Sequence, residues 1–130
     1  MFDWKKPTSQ MLGRWQPWHD GHTALFEKAL KKTGQVCIMF RDVSGVDAGV
    51  DGQGDNPFAF EEVKRRIIDG LSAHGYEHEK EYIVLKVPNI TDISYGRGVG
   101  YTFTEHDLGE EIHKISATKI RKKMRDQDEL

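Results

Sequence analysis

Two short stretches of the chain carry residue types that chemistry can use. The first is Gly13-Arg14-Trp15-Gln16-Pro17-Trp18-His19-Asp20-Gly21-His22. His19 and His22 stand three positions apart at a predicted helix entry, so both imidazoles can reach the same side of the turn. Gly21 between them removes a Cβ where a ligand could approach the backbone closely. The unpaired N–H groups of a first helical turn, with the positive end of the helix macrodipole, favour a phosphate at such a place. Two histidines and backbone donors suit the charge that develops on the non-bridging oxygens of a transferring phosphoryl group. The same spacing is half of a zinc site. No third ligand is evident, because Cys37 sits in an apolar run and His74, His78, His106 and His113 show no matching spacing.

The second stretch is Ile115-Ser116-Ala117-Thr118-Lys119-Ile120-Arg121. It places two hydroxyls and two cations across another predicted helix start. Ser116 and Thr118 can donate to phosphate oxygens beside free backbone N–H groups, while Lys119 and Arg121 supply charge. Taken by itself, it reads equally well as an ordinary capped, basic C-terminal helix.

The elements that must position these residues follow from periodicity. Thr8 to Leu12 leads into Gly13 as a short strand. From Gly21 to Lys32, Ala24, Leu25, Phe26, Ala29 and Leu30 fall largely on one helical face, and Thr33-Gly34 supplies the C-cap. Val36 to Phe40 is a continuous apolar run, the signature of a strand covered on both faces. Asn56 as N-cap and Pro57 at the first position predict a second helix, with Phe60, Val63, Ile67, Ile68 and Leu71 as its buried stripe. Tyr82 to Val87 reads as a third strand and Ile93-Ser94-Tyr95 as a short fourth. A last helix runs from an N-cap at Ser116 toward Arg125, with Ile120 and Met124 four apart. The alternation predicts an α/β fold with a mostly parallel sheet. The histidine turn then lies at the carboxyl ends of the strands, where open α/β sheets bind ligands.

Composition bounds the rest. A chain of 130 residues, 37% hydrophobic and 31% charged, is expected to form a single globular domain over 1–130. The net charge of −2 argues against a bulk nucleic-acid binder. The basic run from Lys119 to Arg125 is flanked by Asp126, Asp128 and Glu129 and reads as a solvated helix face. A lone cysteine, Cys37, cannot pair within the chain, which points to a reducing, cytoplasmic setting. No apolar run approaches the ~18–20 residues that span a bilayer, and the first seven residues lack the apolar stretch of a signal peptide. The terminal Asp128-Glu129-Leu130 is not read as an ER-retention tail for that reason.

Together, His19-Asp20-Gly21-His22 and Ile115 to Arg121 resemble the HxGH and ISxTxxR signatures of the nucleotidylyltransferase superfamily, over roughly residues 8–125. The wider GRWQPWHDGH turn and Asn56-Pro57-Phe58 are similar to the archaeal type of nicotinamide-mononucleotide adenylyltransferase. The length, and the short path from third strand to second signature, are more like glycerol-3-phosphate cytidylyltransferase. The resemblance implies a Rossmann-like three-layer sandwich. It implies transfer of AMP or CMP from a nucleoside triphosphate to a small phosphate- or phosphonate-bearing acceptor, with release of pyrophosphate. In that scheme His19, His22 and Arg121 are catalytic, and Gly13, Arg14, Trp15, Gly21, Ser116 and Thr118 join them in holding the nucleotide. Mg²⁺ would bridge phosphate oxygens, with few or no protein ligands. An acceptor phosphate is already anionic at neutral pH, so positioning and electrostatics suffice without a general base.

For the acceptor, the candidates are Arg41, Tyr95, Arg97 and Tyr101, on segments that leave strands two and three at the ligand edge. Arg41 reads equally as an ordinary strand-end charge. The glycine- and aspartate-rich stretch from Asp42 to Asp55 is either a lid over the triphosphate or a simple flexible loop. Trp15 and Trp18 are expected to anchor the turn or pack into the core, with stacking on a ligand as the other reading. The rival to an enzyme is a non-catalytic nucleotide sensor that keeps the pocket. Neither a membrane nor a nucleic acid is an expected partner, and a homo-oligomer is compatible with all of these readings.

Overall fold

Along β2 (Val36–Arg41), buried Val36, Ile38 and Phe40 alternate with half-buried Cys37, Met39 and Arg41. This two-residue alternation points successive side chains to opposite faces of a sheet. The computed structural model describes residues 1–43, 57–97, 100–106 and 117–127. Within them β2 is the centre of a three-stranded sheet of order β1-β2-β3, with β1 at Ser9–Gly13 and β3 at Tyr82–Val87. Both pairings are parallel, with Gly13 opposite Phe40 and Arg41 opposite Val87 at the carboxyl edge.

Parallel neighbours need crossovers, and these are α1 (Asp20–Thr33) and α2 (Phe60–Ser72). Two right-handed crossovers that step in the same direction place both helices on one face of the sheet. Packing agrees. Phe26 of α1 meets Tyr82 edge-on at 5.6 Å, and Phe60 of α2 lies 5.6 Å from Phe40. Val63, Ile67 and Leu71 complete the layer, all without exposure. Truncating a residue such as Phe26 to Ala would cost about 3–5 kcal/mol. The final helix, α3 (Ala117–Asp126), adds Met124 to the same cluster with Ile120 packed against it. The opposite sheet face carries half-buried Leu12, Cys37, Met39 and Leu85. The described elements therefore form a small parallel α/β sheet with helices, and among them no third layer is defined.

Helix α1 begins and ends as its residues require. His19 is the N-cap, Asp20 sits in the first turn and Lys31 and Lys32 in the last, matching the macrodipole. Gly34 closes it at φ 86, donating its N–H to the Leu30 carbonyl at 2.7 Å.

Two expectations about boundaries are corrected. The second helix does not start with Pro57 as its first residue. It starts at Phe60, after Ala59, which offers no side-chain cap. The reason lies upstream: both backbone groups of Phe58 are bonded to the Gln16 side chain and are unavailable to a helix. Asn56 lies outside the described residues. The short fourth strand is not formed either, since 91–97 is exposed and without strand pairing. There the Ser94 hydroxyl bonds the Asp92 carboxylate, a local contact that competes with a ladder, and Tyr95 turns to Phe103 at 5.6 Å. Among the described residues β1 therefore has a strand neighbour on one side only.

Candidate functional site

The β1–α1 turn carries the site. Gly13 ends β1, and a Cβ there would come within 2.7 Å of the Trp15 ring, so only glycine lets that indole fold back over the strand end. Trp15 itself holds φ 51, a left-handed conformation rare for a bulky residue. Its indole N–H donates to the Met39 carbonyl at 3.0 Å. Gln16 is buried and bonds Phe58 twice. Trp18 is buried too and donates its N–H to the Thr23 hydroxyl at 2.9 Å.

These anchors deliver His19 and His22 to the start of α1, their rings stacked 3.6 Å apart and 17° from parallel. Each ring is bonded at the same atom. The Gly21 N–H donates to His19 Nδ1 at 3.0 Å, and the His19 N–H donates to His22 Nδ1 at 3.2 Å. An imidazole that accepts at Nδ1 and is neutral must carry its proton on Nε2. Both rings are held neutral at pH 7. Burial lowers the His19 pKa against the opposing pull of Asp20. Burial first, then the neighbouring His19, lowers His22 from 6.5 to about 3. The outcome is two adjacent Nε2–H donors at a helix N-terminus, where backbone dipoles already favour an anion.

The structure brings Gly13, Arg14, Trp15, His19, Gly21 and His22 into this one turn. Trp15 and Trp18 are both buried within it, as anchors. Arg41 reaches the same carboxyl edge at the end of β2. Its Nη1 donates to the Ile90 carbonyl at 3.5 Å, while its buried Nε has no hydrogen-bond partner. Tyr95, Arg97 and Tyr101 are exposed and line a cavity of about 1330 Å³ beside β1. That cavity is walled on the other side by Gln10, Leu12 and Trp15, and neither histidine faces it. Trp15 is thus the shared wall between histidine turn and cavity. Ser116 lies outside the described residues, as do the side chains of Thr118 and Arg121, although both positions fall in α3. The proposed lid over 42–55 likewise lies outside them, apart from Asp42 and Val43.

Among the described residues no group of three His, Cys, Asp or Glu side chains could hold a metal ion, and no helix is long and apolar enough to cross a membrane. Sequence reading gave no role to Gln16 or Thr23. A glutamine between two tryptophans and a proline was the available signal, because a buried amide must find partners. Comparison with known proteins finds no matching family model, no matching curated protein and no matching solved structure.

Proposed function

We propose that this chain is a nucleotidylyltransferase of Rossmann-like, three-layer architecture, moving AMP or CMP from a nucleoside triphosphate onto a small phosphate- or phosphonate-bearing acceptor. The observation that carries the reading is the stacked His19–His22 pair, with both Nδ1 atoms bonded to backbone N–H groups and both Nε2–H groups left to donate. Neutral donors of fixed tautomer suit an oxyanion that gains charge in the transition state and need not move to meet it. In the proposed step an acceptor oxygen bonds to the α-phosphorus. The bond to the bridging oxygen of the β-phosphate breaks, and its electron pair leaves with pyrophosphate. The histidines stabilise the non-bridging oxygens throughout. Ser116, Thr118 and Arg121 are assigned to the terminal phosphates by the sequence pattern alone.

The donor set bears on the cation. Rings whose Nδ1 lone pairs are taken by backbone N–H groups, and whose Nε2 atoms carry protons, offer no lone pair to a metal. Mg²⁺ would therefore be held by phosphate oxygens and water, and the chemistry it supplies when bound is neutralisation of the triphosphate's charge. The acceptor is assigned to the side of Arg41, Tyr95, Arg97 and Tyr101. Supporting this are the place of Arg41 at the end of β2, on the carboxyl edge, and the cavity lined by Tyr95, Arg97 and Tyr101 that adjoins the turn through Trp15.

The test is a thermal-shift panel of ATP, CTP, GTP and UTP with Mg²⁺, followed by pyrophosphate release with phosphate- and phosphonate-bearing acceptors. A ligand that binds only the native state raises its melting temperature. ATP or CTP should stabilise and turn over. Stabilisation without pyrophosphate release across the acceptor panel would make the domain a nucleotide sensor instead.

A further inference from the structure

We infer that Trp15 and Trp18 are positioning residues for His22: two indole walls, each tethered at its N–H, hold the imidazole against His19 so that both Nε2–H groups stay presented to a ligand. The inference deepens the transfer reading, but its structural content does not depend on that reading.

Three observations carry it. The first is enclosure. The Trp15 ring meets His22 edge-on at 4.8 Å and 80°, and the Trp18 ring lies at 5.3 Å and 50°. His19 closes the third side at 3.6 Å, and the two indoles brace one another at 5.1 Å. The second is tethering. Each indole N–H has its own acceptor, the Met39 carbonyl on β2 for Trp15 and the Thr23 hydroxyl on α1 for Trp18. Bulk alone would fill a core without fixing ring orientation, whereas these bonds set where each wall stands. The third is the adaptation around them. Trp15 holds a left-handed backbone that such residues normally avoid. Gly13 lies under its ring, and a Cβ on Gly70 of α2 would approach Trp18 Cδ1 to 3.1 Å. Two glycines and one unfavourable backbone conformation thus accommodate the same pair of rings.

The tethers also explain why one hydrogen bond suffices for His22. Its Nδ1 contact to the His19 N–H is 3.2 Å long, at the far end of the ordinary range. Such a bond alone would leave the ring free to turn and to exchange tautomers. With aromatic walls on two sides, rotation must displace an indole.

The test combines side-chain NMR with kinetics on the full chain. In the wild type at pH 7, ¹⁵N shifts should show His22 Nδ1 as an acceptor nitrogen and Nε2 as protonated. In Trp15→Phe and Trp18→Phe, which keep an aromatic ring but lose the tether, both His22 nitrogens should move toward averaged values while His78 stays unchanged. With a confirmed substrate pair, kcat should fall by about 10- to 100-fold with nucleotide KM little altered, the pattern of lost alignment. Should either variant fail to fold, Thr23→Val keeps the shape at that position while removing the Trp18 acceptor, and the same shift change is expected. His22 shifts identical to wild type in the folded variants would overturn the inference, whatever the enzyme assay reads. Absent pyrophosphate release in the wild type would count against the transfer reading alone.

Discussion

Gln16 and Phe58 stand 42 positions apart in sequence and exchange two hydrogen bonds of 2.9 Å, amide N–H to carbonyl and backbone N–H to amide oxygen. The glutamine imitates a strand neighbour for one residue. In doing so it ties the histidine turn to the entry of α2 and delays that helix to Phe60.

Replacing Gln16 by Glu should therefore do more than remove one donor. The carboxylate would face the Phe58 carbonyl with nothing to donate, and its charge would be buried. A loss of about 1–3 kcal/mol is expected for the unpaired carbonyl, with more for the charge. Urea unfolding followed by fluorescence of the neighbouring tryptophans measures it. A midpoint equal to wild type would show that this bridge contributes nothing.

His19→Ala and His22→Ala should each lower turnover by about 10²–10³, the usual cost of one preorganised donor. The two should not add. Removing His22 takes the acceptor from the His19 N–H, and removing His19 takes away the stacked partner. Single and double variants assayed by pyrophosphate release decide this. Near-normal rates in both singles would refute the role given to the pair.

Acid should weaken the fold through His22. Its native pKa is depressed to about 3 against an ordinary 6.5, so the unfolded chain takes up a proton that the folded chain refuses. The contribution is fully present above pH 6.5 and is lost progressively as pH falls toward 3. Its slope is at most about 1.4 kcal/mol per pH unit. His19 adds in the same direction. Unfolding midpoints between pH 7 and 5, a window above most carboxylate titration, should fall in the wild type and fall less steeply in His22→Gln. Equal slopes would mean that His22 titrates normally in the folded protein.

Ser116→Ala with Thr118→Ala should erode the preference for triphosphate over monophosphate, because their assigned partners are the terminal phosphates. Titrating ATP against AMP, or CTP against CMP, reads this out. Equal weakening of both nucleotides would return Ser116 to a plain N-cap, worth about 0.5–2 kcal/mol of stability.

How far the sequence reaches can be seen element by element. Apolar spacing together with cap and turn residues placed α1, β2, α2, β3 and the final helix, because burying an apolar stripe requires a fixed spacing whatever the partner. The short β1 was read from its position before Gly13. Spacing also picked out His19, Gly21 and His22 as one turn, since three residues at a helix entry share a side by local geometry. What local spacing could not contain was decided by contacts across the chain. The start of α2 was set by Gln16, 42 positions away from Phe58, whereas the absence of a fourth strand at 93–95 goes with the short-range Asp92–Ser94 and Tyr95–Phe103 contacts. Trp15 and Trp18 are buried anchors, as their sequence context suggested, but their acceptors, the Met39 carbonyl and the Thr23 hydroxyl, were given only by the tertiary structure. Most of all, it assigned the protons of the histidines. A pair of imidazoles is written in the sequence, but which nitrogen of each can donate depends on backbone N–H groups and burial that exist only once the chain has folded.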